Sequence, residues 1–193
     1  VVNFEAGAAG YLHGVQCVTL GSEGGALDAA EVRAALRPLN LHLPRTGLIC
    51  TEQTHMGSGG RVVPLGSLEA VAEVARSAGV PVHMDGARLA NAQVASGVAA
   101  RDFAATADSV SLCLSKGLGA PVGSILAGDL EFLERARLVR KRLGGWMRQA
   151  GLIAAAGLVA LRENVERLAE DHALARALAE CCQDRPGLHV APQ

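Results

Sequence analysis

Aromatic side chains are scarce in this chain of 193 residues, which has three Phe, one Tyr and one Trp, 3% of the total. That argues against an aromatic-rich β-sandwich. It favours helices and buried parallel strands built from the Ala, Leu and Val that supply most of a 50% hydrophobic content. Long apolar runs are missing too, none approaching the ~18 residues a membrane span requires. There is no basic block, and the formal net charge is −1, so nothing electrostatic recommends a nucleic acid partner. The five cysteines, at 17, 50, 113, 181 and 182, are odd in number and lack CxxC spacing. They read as reduced thiols rather than a secreted disulfide framework. An intracellular protein is expected, cytoplasmic ahead of mitochondrial, with no metal site. The chain opens on Val1 without a methionine, and Leu188 to Pro192 reads as the start of a strand. Both ends are expected to continue in a longer protein.

What is present alternates. Asp28 to Leu36 opens with a capping residue, has Glu31 three positions on, and stops before Pro38: a short helix. Gly47 to Glu52 suits a buried strand. Pro64 to Ala78 carries apolar residues at 65, 68, 71, 72, 74 and 75, one helical face, and Gly79 ends it. Strands follow at Val80 to Met84, Ser109 to Leu114 and Gly123 to Ala127, with a helix over Ala87 to Ala95. This spacing predicts an α/β fold: a mostly parallel sheet with helical crossovers. Beyond Gly128, helices are expected over Asp129 to Leu143, Trp146 to Leu161 and Asn164 to Gln183. The second is small and apolar all round, as if buried between subunits or domains. The reading divides the chain at residue 160: 1–160 as part of a large α/β domain, 161–193 as a linker helix and the start of a small α+β domain.

Two strand ends carry charge. Val110 to Leu114 leads through Ser115 into Lys116, then Gly117-Leu118-Gly119; Val80 to Met84 ends at Asp85, with Arg88 three residues on. Charged residues at the carboxyl ends of strands are what a site at the edge of an α/β sheet requires. Lysine plus aspartate is also the pair that holds pyridoxal phosphate. The amine forms a Schiff base, and the carboxylate keeps the pyridine nitrogen protonated. Lys116 has no acidic residue nearer in sequence than Asp108, so a desolvated, nucleophilic amine is expected. Ser115 is a candidate phosphate ligand, and Arg88 a candidate for the ring oxygen or a substrate carboxylate. A bare Asp-Gly is more often just a turn. The two strand ends together carry the argument.

Four blocks, Glu52 to His55, His83 to Leu89, Cys113 to Ser124 and Arg140 to Gly151, together resemble the threonine aldolases, pyridoxal-phosphate lyases of the aspartate-aminotransferase-like fold. The likeness runs in order from about Val2 to Ala173. It implies that Lys116 is the Schiff-base lysine, Asp85 the partner of the pyridine nitrogen, and Arg88 its neighbour facing the substrate carboxylate. Phe4 and His42 would line the substrate end, with His42 toward the β-hydroxyl. Lys141 and Arg148 would be basic groups reaching a site across a subunit boundary. The implied reaction cleaves L-threonine or L-allo-threonine to glycine and acetaldehyde, in a homotetramer or homodimer. Alternatives are another pyridoxal-phosphate reaction, such as β-elimination, or an inactive truncated aldolase. The family's stacking histidine would fall just before Val1, its phosphate cradle further upstream, and another arginine after Gln193. Gln53 and Met56 stand where the family has Asn, and Trp146 where it usually has a third glycine.

Overall fold

The computed structural model describes residues 4–183, 185–188 and 190. A short helix α1 (Ala8–His13) precedes a hairpin of β1 (Ser22–Glu23) and β2 (Ala26–Leu27). Then come α2 (Ala29–Ala35), β3 (Ile49–Glu52), α3 (Leu65–Ala78), β4 (Val82–Asp85), α4 (Leu89–Ser96), α5 (Ala100–Ala104), β5 (Ser109–Cys113) and β6 (Ser124–Gly128). Three helices close the sequence: α6 (Leu130–Arg142), α7 (Gly151–Glu163) and α8 (Leu168–Cys182).

β3, β4, β5 and β6 form one sheet in that order. The first three are parallel, joined by helical crossovers, and β6 runs antiparallel at the edge. The expected α/β architecture is therefore present. Local signals set its elements. The Asp28 carboxylate accepts from the Ala30 and Glu31 amides at 2.8 and 2.9 Å, satisfying donors that the first turn of α2 leaves open. On α3 the residues at 68, 71, 72, 74 and 75 are buried, as the apolar spacing demands.

Strand alternation gives the sheet two unlike faces. Ile49, Val82, Met84 and Val110 point to one side and join two buried clusters, one with Val32, Val71 and Val74, the other with Val63, Leu68, Leu89, Ala92 and Phe103. Cys50, Glu52, His83, Asp85, Ser109 and Ser111 share the other side, paired in register. A third cluster packs Leu114, Leu118 and Ala120 against Ala160 and Leu168.

Several elements differ from expectation. Trp146 is not helical: α7 begins at Gly151, after a segment in which Gly144 and Gln149 both take positive φ. The helix expected from Asn164 starts later: Asn164 caps α7, and α8 runs from Leu168. A hairpin absent from the sequence-based expectation forms at 22–27 and turns on Gly24-Gly25, a pair suited to such a turn. The expected strand at Leu188 to Pro192 lies largely outside the described residues. Among the described residues no helix is long and apolar enough to cross a membrane, and no group of three His, Cys, Asp or Glu is placed to hold a metal. All five cysteines are free.

Candidate active site

Asp85 is the last residue of β4, flanked in register by Glu52 of β3 and Ser111 of β5. Lys116 follows three residues after the end of the adjacent parallel strand β5. Both therefore belong to the carboxyl edge of the sheet, as the sequence predicts.

The turn after β4 holds Asp85 in place. Its Oδ1 accepts from the Ala87 amide at 3.0 Å, and its backbone carbonyl accepts from Gln53 N–H at 2.8 Å. Arg88 N–H donates to the Gln53 carbonyl at 3.3 Å, so Gln53 ties β4 and the start of α4 to the end of β3. Gly86 permits the close approach: a Cβ there would lie 2.8 Å from the Ser111 carbonyl oxygen. Asp85 and Arg88 are both half-buried. Among the described residues Asp85 forms no ion pair, so one carboxylate oxygen is left for a ligand.

One expectation about this edge needs correction. Lys116 and Ser115 are exposed, so the amine's lack of a counter-ion is not accompanied by desolvation within this chain. Gln53 does not face the site. Its side chain is fully buried, donating from Nε2 to the Val63 carbonyl and accepting from Val63 N–H, each at 2.9 Å. It pins the segment after β3 to the core.

Beneath Asp85 on the same face, the His83 ring nitrogen Nδ1 lies 2.8 Å from Ser109 Oγ. Burial pushes the His83 imidazole below its ordinary pKa, against the opposing pull of the Asp85 carboxylate.

The remaining candidates are not gathered here. His42 lies in the exposed loop between α2 and β3, whose base is closed by Thr46 N–H to the Arg37 carbonyl at 2.9 Å. Leu39 and Arg45 of that loop line a cleft with Gly79, Val80 and Pro81, just ahead of β4. This is the amino edge of the sheet, opposite to Asp85. Phe4 is 86% exposed in the turn before α1. Lys141 and Arg148 are exposed near the end of α6 and in the segment after it. Two cations lie over the Trp146 ring, with the Arg140 guanidinium 5.0 Å and Lys141 Nζ 5.6 Å from its centre. The residues that sequence reasoning missed are those supporting the edge: Gln53, Gly86, and Asn91, Asn164 and Leu168 around the lysine loop. Of these only Gly86 carries a local signal, the Asp-Gly pair of a turn.

The arrangement fits pyridoxal phosphate in part. A carboxylate with an open oxygen and an exposed amine stand at the ends of neighbouring parallel strands, which is the donor set its ring and aldehyde require. The fold is the α/β fold of the aminotransferase-like proteins, shared with solved structures at 21–24% identity. The beta-eliminating lyase family model matches residues 1–193, and the chain belongs to that family.

Relatives sharpen the comparison. The chain is 46% identical over 190 residues to low-specificity L-threonine aldolase 1 of Arabidopsis thaliana, covering 97% of this chain and 53% of that protein. It is 42% identical over 178 residues to the low specificity L-threonine aldolase of Escherichia coli K12, covering 92% and 53%. A solved Listeria monocytogenes structure, provisionally described as an L-allo-threonine aldolase, superposes with a TM-score of 0.81 over 96% of this chain and 50% of its own. At 24% identity that likeness speaks for the fold alone. The chain spans about half the length of the curated relatives it matches.

Proposed function

We propose that the whole protein is a pyridoxal-phosphate-dependent carbon–carbon lyase that cleaves L-threonine or L-allo-threonine to glycine and acetaldehyde. The observation that carries this reading is the placement of Asp85 and Lys116 at the ends of adjacent parallel strands β4 and β5, in a chain over 40% identical to proteins named for that activity. When bound, the cofactor supplies the electron sink that a broken Cα–Cβ bond needs. The protein's part is to hold and orient. Lys116 Nζ is the point of covalent attachment, and the open oxygen of Asp85 keeps a proton on the ring nitrogen through a charge-assisted hydrogen bond. Arg88 offers a guanidinium to the substrate carboxylate, and Ser115 a hydroxyl to the phosphate.

His42, Phe4, Lys141 and Arg148 take their roles in a homo-oligomer, a homodimer or homotetramer. His42, at the far edge of its own sheet, accepts the β-hydroxyl proton in a site completed by another copy. Residues 161–193 begin a smaller domain. Elsewhere on the chain, α7 exposes Leu152, Leu158 and Val159 at 50–83%, an apolar face suited to a subunit contact.

The family's own description favours a second reading, β-elimination. Products separate the two. Incubated with threonine, the complete protein should release acetaldehyde and glycine in equal amounts. Release of ammonia and 2-oxobutanoate instead would mean elimination.

A further inference from the structure

The loop that carries Lys116 is short and closed on itself. Leu114 N–H donates to the Gly123 carbonyl at 2.9 Å, Gly119 N–H to the Lys116 carbonyl at 2.8 Å, and Ala120 N–H to the Leu114 carbonyl at 3.0 Å. Its apolar members, Leu114, Leu118 and Ala120, are buried, while Lys116 itself is exposed. A loop built this way fixes a backbone and leaves one side chain free. What it is fixed to lies more than forty residues further along the chain.

Asn164, at the corner between α7 and α8, donates from Nδ2 to the Leu118 carbonyl at 2.7 Å. Its own N–H caps α7 through the Ala160 carbonyl at 3.1 Å, so the side chain projects from a rigid point. One turn later Leu168, fully buried, presses on the loop. A Cβ on Gly117 would lie 2.7 Å from Leu168 Cδ2, and one on Gly119 would lie 3.5 Å from Asn164 Nδ2. α8 is in turn tied to α4 by Asn91 and His172, whose side-chain nitrogens lie 3.1 Å apart. Thus α4, which follows directly on Asp85 and Arg88, and the loop bearing Lys116 are both referred to the start of α8.

We infer that Asn164 is a positioning residue for Lys116: its hydrogen bond to Leu118 sets the loop so that the amine stands at the same edge as Asp85. The inference deepens the reading of Lys116 as the cofactor's attachment point. The loop has one side-chain donor from outside itself among the described residues, and that donor reaches the carbonyl two residues from the lysine. A reacting amine displaced by about 1 Å costs as much as 100-fold in rate, whereas a loosened surface loop costs little stability. Asn164 therefore acts on chemistry more than on folding.

The test uses the complete protein with Asn164→Asp, which keeps the shape and removes the donor, and Asn164→Ala. Hydrogen exchange is first measured on cofactor-free protein. The Gly119 and Ala120 amides should exchange at least several-fold faster in both variants, with β4 and β5 amides unchanged. In loaded enzyme kcat should fall about 10–100-fold while KM for threonine stays within about twofold. Asn164→His, which presents Nδ1–H close to where Nδ2 stood, should recover part of both. Wild-type exchange at Gly119 and Ala120 in the Asp variant would overturn the inference, as would a uniform rise across β4 and β5, which marks a merely structural residue. If wild-type protein carries no cofactor on Lys116, the functional reading fails, yet the exchange result still decides whether Asn164 holds the loop.

Discussion

The stretch from β3 to β5 and the stretch from β6 to α7 both carry strands and helices and are packed quite differently. In the first, Met84, Ala92 and Phe103 are sealed from solvent at 0–1% exposure, and α3 buries five residues. In the second, every residue of β6 is exposed, α6 buries none, and α7 buries only Gly157 and Ala160. Leu126, Phe132, Ala136, Val139 and Leu143 line an open apolar groove between β6 and α6. Apolar surface left in water contributes nothing to stability. The first region buries its apolar residues within the chain, and the second leaves much of its apolar surface exposed. The site sits at the boundary: Asp85 rests on the sealed side, and the Lys116 loop is held by α7 and α8.

The sharpest way to break this comparison is a matched pair of truncations. Phe103→Ala should cost about 3–5 kcal/mol in denaturant unfolding, because a large cavity opens in a closed core. Leu152→Ala, on α7, should stay within about 0.5 kcal/mol in the 193-residue chain. Equal costs would mean that the exposed helix is as well packed as the core. Next in size is Gly86→Ala. The new methyl meets the Ser111 carbonyl at 2.8 Å and Val110 Cγ1 at 3.0 Å, so an overpacking cost of about 1–3 kcal/mol is expected. Because the turn carrying Asp85 must shift, cofactor retention in the complete protein should weaken too, read by equilibrium dialysis. Asp28→Ala should cost about 1 kcal/mol by leaving the first amides of α2 without an acceptor.

The smallest effect is a pH dependence from His83. Burial lowers its pKa in the folded state, so below the ordinary value of about 6.5 the unfolded chain binds the proton more readily. Stability from this group is then complete above that value. It is lost as pH falls through the unfolded pKa, levelling off below the folded one. Urea midpoints between pH 5 and 8 should show this slope, and His83→Gln should flatten it.

The same contrast explains what the sequence disclosed. Periodicity revealed α3, and short apolar runs revealed β3, β4 and β5, because each buries apolar residues against a neighbour within the chain. Asp85 and Lys116 were legible because strand ends followed by glycine are local signals. The contact of the Asn164 side chain with Leu118, 46 positions away, was not, since no local pattern records it. The inward turn of Gln53 is hidden for the same reason: its partner Val63 lies ten positions away. The apolar and small residues from Trp146 onward suggest helix. Gly144 and Gln149 at positive φ keep Trp146 to Ala150 out of α7.

The central claim is that Lys116 and Asp85 together form the cofactor's seat. Its most direct test is borohydride reduction of the complete protein with pyridoxal phosphate, followed by peptide mass spectrometry, on wild type, Lys116→Ala and Asp85→Asn. The account predicts one reduced cofactor on the Lys116 peptide of wild type, none anywhere in Lys116→Ala, and reduced occupancy of Lys116 in Asp85→Asn. Label on a different lysine in wild type, or wild-type occupancy in Asp85→Asn, would contradict it.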